Sequence, residues 1–184
     1  MGKDILLFGI QGSGKGTQAK ILAEHSGMVI FETGAELRKI REEESELGKI
    51  VREIIDRGDL VPNEIVMDIV QHFLERVPQD ARIIFDGIPR SMPQKETFDS
   101  LLAEKGRQAT CLFLDVPRNE VIVRMHERGR EDDTEEAIAK RIENYEKETV
   151  PVLLAYESEG DFLRINGSQS LEKVAEDIAN MIDF

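Results

Sequence analysis

The chain has a single cysteine, Cys111, and no tryptophan. One cysteine excludes an intrachain disulfide, and its place in the apolar stretch ATCLFLDV reads as a buried core thiol. Three histidines, His25, His72 and His126, stand apart without ligand spacing, so no zinc site is expected. Basic residues are scarce. There are 24 Lys and Arg against 37 Asp and Glu, a formal net charge of −13. That balance argues against nucleic acid or anionic lipid as the main partner. A compact anion could bind only where a few arginines converge. No apolar run approaches the roughly 20 residues of a membrane span. The opening MGKDILLFGI has too short an apolar stretch for a signal peptide and no small-residue cleavage site. Leu6 stands where a myristoylation signal would carry Ser or Thr. The expectation is a cytoplasmic protein. With no heptad pattern and no long apolar edge, a monomer is the default. Linkers, repeats and low-complexity runs are also missing, so the 184 residues read as one domain.

What the chain does have is alternation. Residues 5–9, 28–31, 82–86, 110–116 and 162–166 read as short strands. The first, third and fourth are almost continuously apolar, as strands covered on both faces are. Helical spacing marks 15–25, 34–44, 46–57, 63–76, 93–105, 117–127, 134–158 and 170–182. In the long segment 134–158, Ile138, Ile142, Tyr145, Thr149 and Val152 recur at helical spacing, and Pro151 predicts a bend. The pattern is that of an α/β fold built on a parallel sheet with helices on both faces. An all-helical insertion falls between the second and third strands.

The densest signal is GIQGSGKGT, residues 9–17. Gly9, Gly14 and Lys15 match the phosphate-loop pattern, with the hydroxyl residue Thr17 displaced by one. Glycines let successive backbone N–H groups, here around Gly12, Ser13, Gly14 and Gly16, turn toward one anion. The helix that follows points its positive end at the same place. Lys15 adds a point charge, and Thr17 is expected to close the helix start. The loop does not name a reaction. No guanine-reading N-K-x-D stretch occurs, and the acidic surface disfavours a nucleic-acid translocase.

Further segments follow in order: TGAELR (33–38), GDLVPNE (58–64), FDGIPRSMPQ (85–94), ERGREDD (127–133) and KRIENYEKETVPVL (140–153). Thr33 can cap a helix and offer a hydroxyl, and Arg38 offers a fork for a phosphate. Asp86 ends a buried strand, where ligand crevices open in such sheets. Arg124 and Arg128 lie four apart, hence on one helix face.

Taken together with GSGKGTQ (12–18), these segments resemble the adenylate kinases of the nucleoside monophosphate kinase family over essentially the whole chain. The resemblance implies a P-loop NTPase three-layer sandwich with a five-stranded parallel sheet, a nucleoside-monophosphate-binding insertion at 32–61 and a minimal lid at 128–133. The core would be 1–31, 62–127 and 134–184. The implied reaction is reversible phosphoryl transfer from Mg-ATP to AMP, giving two ADP. Gly12, Ser13, Gly14, Lys15, Gly16, Thr17, Arg128 and Ser168 would hold ATP. Thr33, Arg38, Asp59, Leu60, Val61, Gly87, Ile88, Pro89, Arg90, Gln94, Arg130 and Arg141 would hold AMP, with Gln94 reading the adenine edge. Lys15, Asp86, Arg90, Arg124, Arg128, Arg130 and Arg141 would form the catalytic set. Asp132 and Asp133 would orient the lid arginines. Mg²⁺ would be held by nucleotide phosphates and water, with Asp86 acting indirectly.

The chain departs from the family pattern at four places. A single glycine separates Arg128 from Arg130, where long-lid relatives carry tens of residues. Gln11 replaces the usual proline of the loop, Ala35 a common aspartate and Ile88 a phenylalanine. Two alternatives remain at this point. One is the same chemistry on UMP or CMP, which Thr33 and Gln94 disfavour. The other is a catalytically silent nucleotide-binding module, which the retained cations disfavour.

Overall fold

A computed structural model describes residues 2–130 and 133–182. Five strands, β1 (Asp4–Phe8), β2 (Val29–Glu32), β3 (Ile83–Asp86), β4 (Ala109–Asp115) and β5 (Phe162–Asn166), form one sheet. Their order is β2-β3-β1-β4-β5, and all four pairings are parallel. Every residue of β1 and β3 is buried, which explains why all but Asp4 at the start of one and Asp86 at the end of the other are apolar.

Side chains alternate between the two faces. Leu6, Phe8, Phe31, Phe85 and Cys111 face one way, into a core closed by α4 (Asn63–Leu74), α5 (Met92–Glu104) and α8 (Val150–Glu159). Ile5, Leu7, Ile84, Leu112 and Leu114 face the other, against α1 (Lys15–Ser26) and α9 (Leu171–Met181). Each fully buried Leu, Ile or Phe contributes about 1.5–3 kcal/mol. Two such layers make the sheet a rigid base, and the three-layer α/β expectation holds. A smaller cluster of Ile10, Val116, Val121, Met125, Ile138 and Ile142 sits beyond the carboxyl ends of the strands, between α6 (Arg118–Arg128) and α7 (Glu135–Asn144).

Between β2 and β3 the chain forms α2 (Thr33–Arg41), α3 (Glu46–Asp56) and then α4. Helix α2 stops three residues before its expected end. Ser45 already caps the next helix, its hydroxyl accepting from Gly48 N–H at 3.0 Å.

One expectation is corrected. Residues 134–158 do not make a single bent α-helix. Helix α7 passes into a π turn at Tyr145–Thr149, and α8 begins at Val150 with Pro151 in its first turn. Proline lacks the N–H that an uninterrupted helix would need, but a first turn does not need it. The wider turn absorbs the break.

At the amino ends of the strands, Asp4 accepts from Ile83 N–H at 2.8 Å and from Arg107 Nε and Nη2 at 2.7 and 2.9 Å. That ion pair is 2% and 6% exposed at its two side chains, and it closes the end of the sheet opposite the glycine loop.

Candidate active site

The loop after β1 is built around a tight turn. Ser13 N–H donates to Ile10 C=O at 3.0 Å, and Gly12 has φ +88°. A Cβ on Gly12 would lie 2.8 Å from Val121 O and 2.9 Å from Met125 Cγ, so only glycine fits against α6. Helix α1 then opens at Lys15, with Gly14 as a left-handed N-cap that offers no side chain. The expectation that Thr17 closes this helix is corrected. Thr17 lies within the first turn and is exposed, and the cap is backbone alone. Thr17 and Gln18 N–H donate to Gly14 C=O at 3.1 and 3.0 Å, which leaves the Lys15 and Gly16 N–H groups as the free donors of the helix start, facing the cleft.

Lys15 folds across this loop, donating to Gly9 C=O at 2.6 Å and Ile10 C=O at 3.2 Å. Burial pulls its ammonium down to about 8, against the opposing pull of Asp86, with Arg90 and Arg128 lowering it further. Asp86 closes β3 and is buried. Burial raises its carboxyl, while Lys15 lowers it and Glu32 raises it. Lysine and aspartate thus face each other across the carboxyl ends of β1 and β3, which are neighbours in the sheet.

From Asp86 the chain runs through Gly87, Ile88 and Pro89, joined by a cis bond, to Arg90. Arg90 Nε donates to Gly87 C=O at 2.7 Å, which folds the guanidinium back over the strand end. Burial lowers its pKa, Asp86 raises it, and the fields of Arg141 and Arg38 lower it. The same cations therefore converge on one volume, a cleft of about 930 Å³ including its mouth. Lys15, Arg38, Arg90 and Arg141 all line it, as do Asp59, Leu60, Val61, Gly87, Ile88 and Pro89.

A side pocket of about 380 Å³ continues from the cleft between Thr33, Leu60, Val61, Gly87, Arg90 and Gln94. Thr33 begins α2 and does not cap it; the cap position is Glu32, with no side-chain bond. This corrects the capping expectation. The Thr33 hydroxyl is buried with no hydrogen-bond partner among the described residues. Arg38 Nη2 donates to Glu32 Oε1 at 2.8 Å, so its fork is held but not saturated. Gln94 Oε1 accepts from Arg90 N–H at 2.6 Å. One lone pair of this amide oxygen is thus engaged by the backbone, which leaves the second lone pair and the NH₂ for a base.

On the lid side, Asp133 gathers two arginines. Arg128 donates to it through Nε at 3.0 Å and Nη2 at 2.9 Å, and Arg141 Nη1 donates at 2.7 Å. The Asp133 side chain is 1% exposed. Arg124 is differently engaged. Its guanidinium donates to Ser13 C=O at 3.2 Å, Gly167 C=O at 3.0 Å and the Glu120 carboxylate, so it ties the loop to the β5–α9 turn. Ser168 in that turn donates to Glu120 Oε2 at 2.7 Å. The positive field of Arg130 reaches Asp86 and lowers its carboxyl pKa. Asp132 lies outside the described residues.

Two side chains at the cleft escaped the sequence reading. Asn144 Nδ2 donates to Gly58 C=O at 3.0 Å, and Thr149 Oγ1 donates to Arg90 C=O at 2.9 Å. Both line the cleft, Asn144 as the last residue of α7 and Thr149 as the last of the π turn. Gly58 has φ +73°, and a Cβ there would lie 2.7 Å from Ala137 O. The insertion thus closes tightly onto α7. Only the polar residues inside an apolar helix period could have signalled these contacts.

Among the described residues, no three His, Cys, Asp or Glu side chains converge on a metal position. One buried carboxylate at the mouth of a phosphate loop suits a cation that arrives with its own phosphate ligands, as Mg²⁺ does.

Comparison with known proteins gives one consistent answer. A family model described as Adenylate kinase matches residues 7–164. An adenylate kinase of Bacteroides fragilis is 38% identical, covering 98% of both chains. One of Phocaeicola vulgatus is 36% identical over the same 98% of each. Adenylate kinase 1 of a Nostoc species is 38% identical over 95% of each.

Proposed function

The chain belongs to the adenylate kinase family, and we propose that it transfers the terminal phosphoryl group of ATP reversibly to AMP, giving two ADP. The observation that carries this reading is the meeting of Lys15, Arg38, Arg90 and Arg141 in one cleft that the glycine loop enters from one side and the 32–61 insertion from the other. A phosphate loop alone serves many reactions. A second cation-lined pocket facing it serves transfer between two phosphates.

In this reading the backbone of Gly12, Ser13, Gly14, Gly16 and Thr17, with Lys15, Arg128 and Ser168, holds ATP. Arg124 keeps the loop in shape. Thr33, Arg38, Gly87, Ile88, Pro89, Arg90, Gln94, Arg130 and Arg141 hold AMP, and Asp59, Leu60 and Val61 wall its base. The unpartnered Thr33 hydroxyl and the Gln94 NH₂ supply polar contacts to adenine. An AMP phosphate oxygen bonds to the γ-phosphorus as the bond to the β–γ bridging oxygen breaks. The cations offset charge on the transferring group throughout, and the protein forms no covalent intermediate. Asp133 orients Arg128 and Arg141. Mg²⁺ brought in on ATP supplies charge neutralisation between the outer phosphates, and Asp86 would hold its water.

The single thiol fits a reducing cytoplasm. Cys111 is buried, and burial pushes it up to about 12, so it stays a protonated core residue. The exposed large apolar side chains among the described residues are spread over α3, α5, α6, α8 and α9, with Leu47 and Ile50 neighbours on α3, and the reading is a monomer. A coupled assay with Mg-ATP and AMP tests the activity. ADP formation at ordinary kinase turnover, about 1–100 s⁻¹, is the expected result, and none from folded protein would reject it.

A further inference from the structure

Gln11 occupies the corner of the turn that opens the glycine loop. The Ser13-to-Ile10 bond and the φ of +88° at Gly12 give a type II geometry with Gln11 at its second position. Proline pre-sets that position best, and proline is the residue the family resemblance places there. Glutamine gives up that stiffening and adds a carboxamide.

Gln11 is half-buried, with its carboxamide oxygen turned inward. Gln11 lines the same cleft as Lys15, Arg38, Arg90 and Arg141. Its Oε1 is buried and has no hydrogen-bond partner among the described residues. A buried amide atom left unpaired is costly, and in a folded protein it asks for a ligand. The amide oxygen and nitrogen are nearly isosteric, so a half-turn about the terminal bond brings the NH₂ to the same place. Beside an anion the NH₂ is the matching face. The site lies between the loop that holds the outer phosphates of ATP and the arginines that hold the AMP phosphate.

We propose that Gln11 is a further catalytic residue of this chain, whose side-chain NH₂ donates a hydrogen bond to an oxygen of the migrating phosphoryl group. The assignment rests on the ATP-to-AMP reading above. A neutral donor here adds a directed bond without adding charge to a cluster already rich in cations. Its benefit appears in kcat, because the acceptor oxygen comes within reach only as the group moves between the two nucleotides.

The test compares wild type with Gln11→Leu and Gln11→Glu, measuring kcat, KM for each nucleotide and thermal midpoint. Gln11→Leu keeps the bulk and removes the donor. It is expected to lower kcat at least about tenfold, with both KM values and the midpoint nearly unchanged. Gln11→Glu keeps the shape and sets a carboxylate against the phosphoryl group. Its kcat relative to wild type is expected to be lower still near pH 8 and to rise toward about pH 5 as the carboxyl is protonated. Equal kcat for Leu and Gln, or a loss confined to KM or the midpoint, would overturn the assignment. If Gln11→Leu does not fold, the pH ratio of Gln11→Glu decides, and a flat ratio rejects it. Wild type that makes no ADP from AMP would reject the reading beneath; active wild type with an indifferent position 11 would reject only the role of Gln11.

Discussion

The two ends of the parallel sheet each bury a charged pair, and they treat it differently. At the amino end, Asp4 and Arg107 meet through two direct bonds, and Asp4 accepts a backbone N–H as well. Arg107 also donates to Gln79 C=O at 3.2 Å and to Ala81 C=O. At the carboxyl end, Lys15 is satisfied by backbone carbonyls, and Asp86 is held above its ordinary carboxyl range by burial. Around that pair lie the side-chain oxygens of Gln11, Ser13 and Thr33, which have no hydrogen-bond partner among the described residues. One end is closed for stability, and the other keeps donors and acceptors ready for a ligand. Three of the buried side-chain atoms without a partner among the described residues thus gather at the end where the ligand enters.

Substitutions at the two ends should therefore part activity from stability. The largest effect is expected at Lys15. Lys15→Met should cut turnover by about 10³ or more and leave the thermal midpoint unchanged or higher, since a buried cation is removed. ADP production and calorimetry on the same preparation check both halves. Asp4→Ala should do the reverse. It leaves Arg107 buried without its carboxylate and should cost about 3–5 kcal/mol of stability, read by denaturant titration. Turnover well below the melting range should stay near wild type.

Much of this contrast was legible in the sequence. The glycine loop, the strand ending in Asp86 and the order of the arginine segments placed the working end. The apolar runs gave the sheet, with strand ends shifted by no more than one residue from those observed. Three things were hidden. Asp4 and Arg107 are 103 positions apart and join only once β1 and β4 pair. The π turn at Tyr145–Thr149 has the same residue types as an α-helix, and Pro151 signals a disturbance without its form. Helix caps at Thr33 and Thr17 follow from residue type, but the local backbone uses Glu32 and Gly14 instead. Periodicity reports which face is buried. It does not report where a polar side chain finds its partner.

Smaller effects sharpen the comparison. Thr33→Val removes a hydroxyl assigned to AMP and should raise KM for AMP about tenfold, with kcat and KM for ATP nearly unchanged in a two-substrate kinetic series. The depressed Lys15 gives a pH signature. Its folded value, about 8, is below its ordinary 10.5. Between those values the unfolded chain holds a proton that the folded chain has released, so this group's contribution to stability rises with pH across that window. Activity moves the other way. Above about pH 8, kcat/KM for ATP should fall roughly tenfold per pH unit as the ammonium is lost. Wild-type and Lys15→Met melting profiles at several pH values isolate the stability part. The smallest effect concerns the loop turn. Gln11→Pro should add about 0.4–1 kcal/mol by restricting the unfolded chain, visible as a higher midpoint, while lowering kcat.

The most direct test of the central claim is phosphorus NMR of the purified protein with Mg-ATP and, in separate tubes, AMP, UMP, CMP or GMP. Rapid growth of ADP signals in the AMP tube, with the other three nearly static, is the predicted result. Turnover mainly with a pyrimidine acceptor, or none in any tube from folded protein, would contradict the account of the cleft.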